Sequence, residues 1–256
     1  MPAEGAAVDL NSDSGESFSN WTMGDDATMM TIVSSANIAC GFHASDPRVM
    51  RETLEAAAAN GVSVGAHVAY RDLANFGRVF VDVPPAELRD AVIYQMGALR
   101  GMAQVAGTDV RYVKPHGALY NTIVHHEEQA QAVVDAIVAF DSGLALLCLP
   151  GSAVERLARE AGLRTVREAF ADRAYTAEGT LVSRRIEGSV IHDAELVSQR
   201  MVQLATQGTV TTIDGEAIPM EAESICVHGD TAGAVEIARK VRDALVGAGV
   251  EISPFA

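Results

Sequence analysis

The chain contains 256 residues, of which 48% are hydrophobic and 21% are charged, and this composition excludes wholesale disorder. Its 34 acidic and 19 basic residues give a formal net charge of −15 at pH 7. This balance argues against a nucleic-acid partner, which needs a basic face, and against docking on anionic lipid. It leaves an anionic small-molecule substrate open, because a local cavity can oppose the net field of a protein.

The sequence predicts a cytoplasmic protein with no membrane partner. No run of residues approaches the roughly 20 apolar positions that span a bilayer, and MPAEGAAVDLNSD lacks the basic and apolar parts of a signal peptide. Cys40, Cys148 and Cys226 lie far apart among apolar residues, so we expect small core side chains rather than disulfides. The alternative, a catalytic thiol, lacks any flanking motif that would activate it.

Short β-rich apolar segments alternate with helical patterns along the chain. Repeated strand-then-helix units predict an α/β fold with a parallel sheet. Seven units favour a distorted, TIM-like (β/α)7 barrel, one strand short of the (β/α)8 type, and an open doubly wound sheet is the alternative. The predicted strands are Val8–Leu10, Asn37–Ala39, Ser63–Ala66, Arg111–Val113, Ala145–Leu149, Leu163–Glu168 and Ser224–Val227.

Helix boundaries and one insertion can also be predicted. Asp46 before a proline predicts a helix start, and Gly61 and Gly107 fall where helices should end. The alternation is broken at 209–220 (TVTTIDGEAIPM), where an Asp-Gly pair between two β-like pieces predicts a hairpin. No linker or internal repeat divides the sequence, so we expect residues 1–256 to form a single barrel domain with this hairpin inserted.

Polar side chains gather where the predicted strands end. In parallel α/β folds the carboxyl ends of the strands form the edge at which ligands bind, so these residues predict a binding rim. Five of the seven histidines lie at or near this rim, with His192 the least clear of the five. For any single histidine a purely structural role is the alternative. The polar residues of the predicted rim include Asn11, Asp13, Glu16, His43, His67, Tyr70, Asp72, Arg78, Lys114, His116, Tyr120, Asn121, Glu168, Asp172, Arg173, Tyr175, His228 and Asp230.

Lysine usage singles out one rim position. Of the 19 basic residues only Lys114 and Lys240 are lysines. Lys240 lies on a charged helical face, whereas Lys114 ends a strand, just before Pro115 and His116. A compact ammonium at this position predicts a chemical role, because burying a lysine without one is costly. Chance composition is the alternative.

Metal and nucleotide motifs give a mixed result. The spacing Asp9-x-Asn11-x-Asp13 resembles the start of a calcium loop, but Ser14 replaces the required glycine. Histidines and carboxylates from different strands, such as Asp13, His43 and His67, are of the type that binds a divalent ion, so a bound metal stays open. Neither G-x-x-x-x-G-K-[ST] nor a strand followed by G-x-G-x-x-G is present, so no standard nucleotide-binding fingerprint is found.

Several long motifs resemble the LamB/YcsF family. They are DLNSDSGE, GDD, SANIACGFHASDP, NGVSVGAH, KPHGALYN, LPGSA, EAFADRAYTAEGTLVSR and HGDTAGAVEIA, and they run in order from about residue 8 to about residue 246. The resemblance implies a distorted (β/α)7 barrel akin to glycoside hydrolases and deacetylases. It also implies the A subunit of an ATP-dependent 5-oxoprolinase, which opens the lactam of 5-oxo-L-proline to L-glutamate with partner subunits B and C.

The resemblance suggests roles for the rim. ATP, with Mg²⁺ and the partner subunits, would phosphorylate the lactam oxygen, and the site would then stabilise an oxyanion and supply a general base. Our hypothesis makes Lys114 the stabiliser of the phosphate or of the oxyanion, and Asp13 or His116 the base. The expected substrate-binding residues are Asn11, Glu16, His43, His67, Tyr120, Asp172, Arg173, His228 and Asp230.

Two other functions stay open at this point. One is a stand-alone metal-dependent hydrolase or deacetylase that acts on another small amide or on a carbohydrate. The other is a non-catalytic subunit that binds substrate. In addition, Val68–Arg71 replaces a Pro-Gly-Tyr-Pro stretch usual in the resembling sequences, which leaves the preferred lactam open.

Overall fold

The computed structural model describes residues 7–229 and 233–256, and its centre is a closed barrel of seven parallel strands. The barrel closes because β1 pairs with both β2 and β9, so the order is β1-β2-β3-β4-β5-β6-β9 and back to β1. The α/β barrel prediction is therefore confirmed and the open sheet is wrong. The strands are β1 (Ala7–Ser14), β2 (Ser35–Ala39), β3 (Ser63–Val68), β4 (Val110–Pro115), β5 (Ala145–Cys148), β6 (Thr165–Phe170), β7 (Thr209–Thr211), β8 (Ala217–Pro219), β9 (Ser224–His228) and β10 (Glu251–Ile252).

The barrel is irregular at one side. Strands β4 and β5 pair through only two residue pairs, Tyr112 with Ala145 and Val113 with Leu146. The register between β3 and β4 shifts next to Gly65. Such irregularities open the sheet locally and allow seven strands to enclose side chains of unequal size.

Helices surround the barrel and follow most of its strands. Helix α2 begins after Asp46, whose carboxylate accepts hydrogen bonds from the N–H groups of Arg48 and Val49, and it ends at Gly61 in the left-handed conformation, φ 67°. Among the described residues, no helix combines the length and apolar character needed to cross a bilayer. The helices are α1 (Asp26–Met29), α2 (Pro47–Asn60), α3 (Pro85–Ala106), α4 (Gly117–Thr122), α5 (Glu127–Asp141), α6 (Ala153–Glu160), α7 (Ala194–Gln207) and α8 (Ala234–Gly247).

Two short pairings lie outside the barrel. Strands β7 and β8 pair antiparallel as a hairpin between α7 and β9, and Gly215 stands in its turn with φ 88°. Strand β10 pairs in parallel with the amino-terminal residues of β1, Ala7 and Val8. Neither pairing interrupts the barrel or its carboxyl edge.

The apolar core lies mainly between the barrel and its helices, whereas the barrel interior is partly polar. At the amino-terminal end of the interior, the ring of Tyr112 packs against Phe255 with 4.8 Å between ring centroids. Gly65 makes room for that ring, because a Cβ there would lie 2.1 Å from a ring carbon of Tyr112. The Tyr112 hydroxyl then donates to Asn37 Oδ1 at 2.7 Å. Tyr112 thus joins the apolar packing at the amino-terminal end of the barrel to the polar side chains in its interior.

Candidate active site

A cavity of about 510 Å³ opens at the carboxyl ends of the barrel strands. This is the edge at which β/α barrels hold their functional groups. Its lining residues include Asp13, Glu16, His67, Lys114, His116, Tyr120, Phe170, Arg173 and His228, together with three arginines, Arg78, Arg184 and Arg185.

Strand β1 supplies the deepest polar side chains. Asp9, Asn11 and Asp13 alternate along this strand and are all buried, because every second side chain of a barrel strand points inward. The predicted strand Val8–Leu10 is therefore too short: β1 continues to Ser14, so Asn11 and Asp13 lie within it. Inward polar residues break the apolar pattern from which strand length is judged, and this explains the error.

Lys114 is the centre of a buried charge network. Its Nζ lies 2.9 Å from Asp13 Oδ1 and 2.8 Å from Glu168 Oε1. It also lies 3.0 Å from the Sγ of Cys226. Burial alone would lower the pKa of Lys114, but Asp13, Cys226 and Glu168 raise it well above its usual value. Lys114 is therefore a fixed ammonium at neutral pH, suited to stabilise negative charge and unsuited to act as a base.

Two asparagines orient this network. Asn37 Nδ2 donates to Asp13 Oδ1 at 2.8 Å and to Asn11 Oδ1 at 2.6 Å. Asn11 Nδ2 in turn donates to Glu168 Oε1 at 3.0 Å. Burial alone would raise the pKa of Asp13, but His67 and Lys114 hold it well below its usual range. Asp13 is thus an ionised, rigidly held carboxylate at the floor of the cavity.

Above the network lies a second cluster, which we call the four-ligand group. One nitrogen or oxygen atom from each of its members lies within 4.8 Å of the others, and all four side chains are buried. Three imidazoles and one carboxylate are donors that can hold a divalent metal ion. The group is Glu16, His43, His67 and His116.

The imidazoles of this group pack directly on one another. His43 and His116 stack with 3.8 Å between centroids, and His67 meets both rings edge-on. Burial, then His116 and His67, hold the pKa of His43 well below its usual range. Burial, then His67, do the same for the pKa of His116. Both rings are therefore neutral at pH 7, with lone pairs available to a metal ion or a proton.

A third cluster forms one wall of the cavity. His228 Nδ1 lies 2.7 Å from Asp172 Oδ1, and the His228 ring stacks on Phe170 at 5.4 Å. Arg173 donates to the carbonyls of Val182 and Ser189, and so holds the 182–189 segment over the cavity. Burial and the nearby Arg184 lower the pKa of Arg173 to about 10, so this guanidinium stays charged at pH 7.

The structure brings most of the predicted residues together. Asn11 lies beneath the cavity, and His43 belongs to the four-ligand group beside it. Tyr120 lines the cavity, and its ring meets Phe170 edge-on at 5.4 Å. Asp230 lies outside the described residues. His192 is exposed and does not line the cavity.

Sequence reasoning misses several residues of the site. It predicts Cys226 as a simple core side chain, yet the Cys226 thiol contacts Lys114. It places Glu168 at a strand end without a role, and Asn37 only within a strand. The alternation of side chains along each strand is the pattern that could have identified them. Asn37, Glu168 and Cys226 lie on the faces of their strands that point into the barrel, where predicted site residues also lie. Arg184 and Arg185 lie in a loop, where no periodic pattern exists, whereas the sequence places Arg78 near the rim but without a role.

The fold is a seven-stranded β/α barrel with a cavity at its carboxyl edge. The family 4 carbohydrate esterase of Streptomyces lividans shares this fold, with a TM-score of 0.52 at 12% identity over 99% of this chain and 95% of that one. A far closer likeness is the crystal structure of the lactam utilization protein of Thermus thermophilus, with a TM-score of 0.92 at 43% identity over 97% of this chain and 100% of that one.

Sequence comparison is consistent with the structural likeness. The 5-oxoprolinase A subunit of Kocuria rhizophila is 64% identical over 249 residues, which cover 97% of this chain and 99% of that protein. The profile of the LamB/YcsF family matches residues 8–256. The chain belongs to the LamB/YcsF family, as its motifs predicted.

Proposed function

We propose that this chain is the A subunit of an ATP-dependent 5-oxoprolinase and carries the site that opens the lactam of 5-oxo-L-proline to L-glutamate. The observation that carries the proposal is the excess of cations in the cavity. In a chain of net charge −15, the described lining of one cavity gathers Lys114, Arg173 and the three loop arginines against two carboxylates, those of Asp13 and Glu16. Such a lining suits a small anionic substrate, and 5-oxoproline is a lactam with a carboxylate. The 5-oxoprolinase name of the Kocuria relative supports the choice of substrate.

The buried network suggests how the lactam is opened. Once the lactam oxygen has received the γ-phosphoryl group of ATP and ADP has left, water adds to the lactam carbon, the ring C–N bond breaks and phosphate departs. The Lys114 ammonium is the proposed stabiliser of the negative charge on the phosphate and on the departing oxygen. Asp13 is ionised but strongly paired with Lys114 and is a weak base. The neutral His116 is the second proposed base, and the choice between the two depends on whether its Nδ1 is free to take a proton from water.

ATP and the partner subunits B and C remain part of the proposal. Lactam opening needs coupling to ATP hydrolysis because the amide is stable, and phosphorylation of the lactam oxygen makes the carbon a better electrophile. The sequence has no standard nucleotide fingerprint, so we propose that ATP and Mg²⁺ act together with the partners. The proposed location is the cytoplasm, consistent with three buried cysteines that form no disulfide.

One observation favours a second candidate. The four-ligand group is of the type that metal-dependent hydrolases use, so a stand-alone hydrolase or deacetylase acting on another small amide or a carbohydrate is the alternative. It differs from the first candidate in one measurable way, since it needs neither ATP nor partners.

The test is glutamate release from 5-oxoproline and ATP by the complete complex, with Lys114→Met against Lys240→Met. Lys240 is the other lysine of the chain and is exposed, with its Nζ 3.9 Å from Glu236. We expect Lys114→Met to lower the rate at least about 100-fold, as loss of a charge-stabilising donor does, and Lys240→Met to leave it unchanged. Equal rates in both variants, with folding verified by circular dichroism, would remove Lys114 from the mechanism.

A second pair of variants tests the anionic substrate. Arg184→Ala removes a guanidinium from the cavity lining, whereas Arg51→Ala removes one that pairs with Glu55 on α2, away from the cavity. We expect the KM for 5-oxoproline to rise about tenfold in the first variant, the effect of one lost charge-assisted contact. An unchanged KM in Arg184→Ala would show that this arginine does not contact the substrate.

A further inference from the structure

We propose that the four-ligand group binds one divalent transition-metal ion of the Zn²⁺ class. The ligand atoms are Glu16 Oε1, His43 Nε2, His67 Nε2 and His116 Nδ1. The site lies next to the Lys114 network, and three of its residues, Glu16, His67 and His116, line the cavity.

The spacing of the donor atoms fits such an ion. Glu16 Oε1 lies 3.0 Å from His43 Nε2, 3.6 Å from His116 Nδ1 and 4.0 Å from His67 Nε2. The two inner nitrogens of His116 and His67 are 3.0 Å apart. Ligands about 2.0–2.2 Å from a tetrahedral ion lie roughly 3.3–3.6 Å from one another. The observed separations bracket this value, so small side-chain adjustments give a four-coordinate site.

The hydrogen bonds of two rings direct their lone pairs inward. His67 Nδ1 lies 3.0 Å from the carbonyl oxygen of Lys114, and His116 Nε2 lies 2.8 Å from that of Phe76. A carbonyl only accepts, so each of these outer nitrogens must carry the proton. In the neutral form of each ring, the inner nitrogen then has only a lone pair, and the two inner nitrogens lie 3.0 Å apart. Two facing lone pairs repel unless a cation lies between them.

The same arrangement is the one that orients metal-binding histidines in proteins. A histidine that binds a metal through one ring nitrogen donates its other N–H to a carbonyl or carboxylate, which fixes the tautomer and the ring plane. Backbone carbonyls of Lys114 and Phe76 do this for His67 and His116. The third ring, His43, has its Nε2 directed at Glu16, and within the described chain its Nδ1 has no hydrogen-bond partner.

A proton shared between His67 and His116 is the competing cation. It would satisfy those two nitrogens but would leave unexplained why Glu16 and His43 converge on the same point. A metal ion uses all four donors. In addition, Asp13 Oδ2 lies 3.3 Å from His67 Nε2, so a second carboxylate adds negative charge next to the proposed ion.

The donor set selects the class of metal. Three imidazoles with one carboxylate suit zinc and its transition-metal neighbours, whereas Mg²⁺ and Ca²⁺ prefer oxygen ligands and keep several of them. The role of the metal in the reaction rests on the proposed lactam hydrolysis, in which the ion would polarise water or the lactam oxygen. Metal binding itself does not depend on that function and is tested separately.

The experiment titrates the full-length chain, freed of metal by EDTA and dialysis, with Zn²⁺ by calorimetry, and with Co²⁺ by visible absorption. We expect one equivalent of each ion to bind and Co²⁺ to show the intense d–d bands of a low-coordinate site. Glu16→Gln and His43→Gln keep the side-chain size, and each should weaken Zn²⁺ binding at least about tenfold. The matched control, His192→Gln, changes an exposed histidine outside the cavity and should bind as the wild type does.

Each possible result either supports or overturns the proposed metal site. Binding of less than one equivalent by the folded wild-type chain, or equal affinity in Glu16→Gln and wild type, overturns the metal site in favour of a shared proton. If either variant fails to fold, the Co²⁺ spectrum of the wild-type chain still decides, since six-coordinate Co²⁺ gives only weak bands. Full 5-oxoproline turnover by the complete complex, assembled with metal-free chain, would overturn the metal's part in the reaction but not the proposed function. Metal binding without turnover by the complete complex would overturn the proposed function but not the metal site.

Discussion

Replacement of Lys114 by methionine is expected to destabilise the protein in a pH-dependent way. The Lys114 ammonium is buried and touches two carboxylates, of Asp13 and Glu168, at 2.9 Å and 2.8 Å. With an effective dielectric constant of about 20, each pair contributes roughly 6 kcal/mol of attraction, and desolvation of the three groups offsets most of it. Removal of one partner from a buried pair costs about 3–5 kcal/mol, because it leaves uncompensated buried charge.

The pH dependence has a definite sign. Without the ammonium, the pKa of Asp13 in the folded protein rises, because Lys114 no longer opposes the effect of burial. The penalty is then complete above the raised pKa and shrinks as the pH falls and the Asp13 carboxylate takes up a proton. In the wild type the pKa of Asp13 is held low, so its contribution is lost only in more acidic solution.

Urea unfolding followed by circular dichroism measures both effects. We expect Lys114→Met to lose about 3–5 kcal/mol at pH 7.5 and clearly less at pH 5, and the double variant Lys114→Met/Glu168→Gln to recover part of the loss. The matched control, Lys240→Met, should stay within about 0.5 kcal/mol of the wild type, as exposed substitutions do. A loss below about 1 kcal/mol, or an equal loss at both pH values, would refute the proposed charge network.

Three further predictions concern burial, packing and metal. Burial raises the pKa of Asp9 from 3.8 to about 6. Between pH 7 and pH 4 the wild type should therefore gain roughly 2 kcal/mol relative to Asp9→Asn, and parallel urea-derived stability curves would contradict this. Gly65→Ala should destabilise the protein by about 1–3 kcal/mol, because the new Cβ meets the Tyr112 ring. In the same assay Gly101→Ala should stabilise it by up to about 1 kcal/mol, because a Cβ at this position in α3 meets nothing within 4 Å. Zn²⁺ at 100 times its dissociation constant should raise the free energy of unfolding by about 2.7 kcal/mol, and an unchanged Tm would contradict binding to the folded state.

The fold could be predicted because its signals are local. Each of the seven predicted strands overlaps a barrel strand, and Asp46, Gly61 and Gly107 mark helix boundaries where expected. Apolar periodicity and capping chemistry act over a few residues and are visible in one sequence. Barrel closure is different. The pairing of β1 with β9 joins Asp13 to His228 across the chain, and no local pattern carries that information.

The site is predictable in outline but not in its contacts. Strand ends indicate the rim, because parallel strands place their carboxyl ends at one edge. Which side chains touch depends on barrel register, and therefore Glu168 as a partner of Lys114 cannot be deduced from the sequence. The candidate metal ligands show the same limit. The sequence suggests Asp13, His43 and His67 for a metal, whereas the converging atoms include Glu16 and His116 and leave Asp13 beside the group.

The central claim, that this chain opens 5-oxoproline as one subunit of an ATP-dependent complex, has one direct test. Glutamate release from 5-oxoproline and ATP is measured with this chain alone, with partner subunits B and C alone, and with all three together. The account predicts glutamate only in the complete mixture, with loss of ATP in step with glutamate formed. Equal glutamate release by the partners without this chain, or none by the complete mixture of folded subunits, would contradict it.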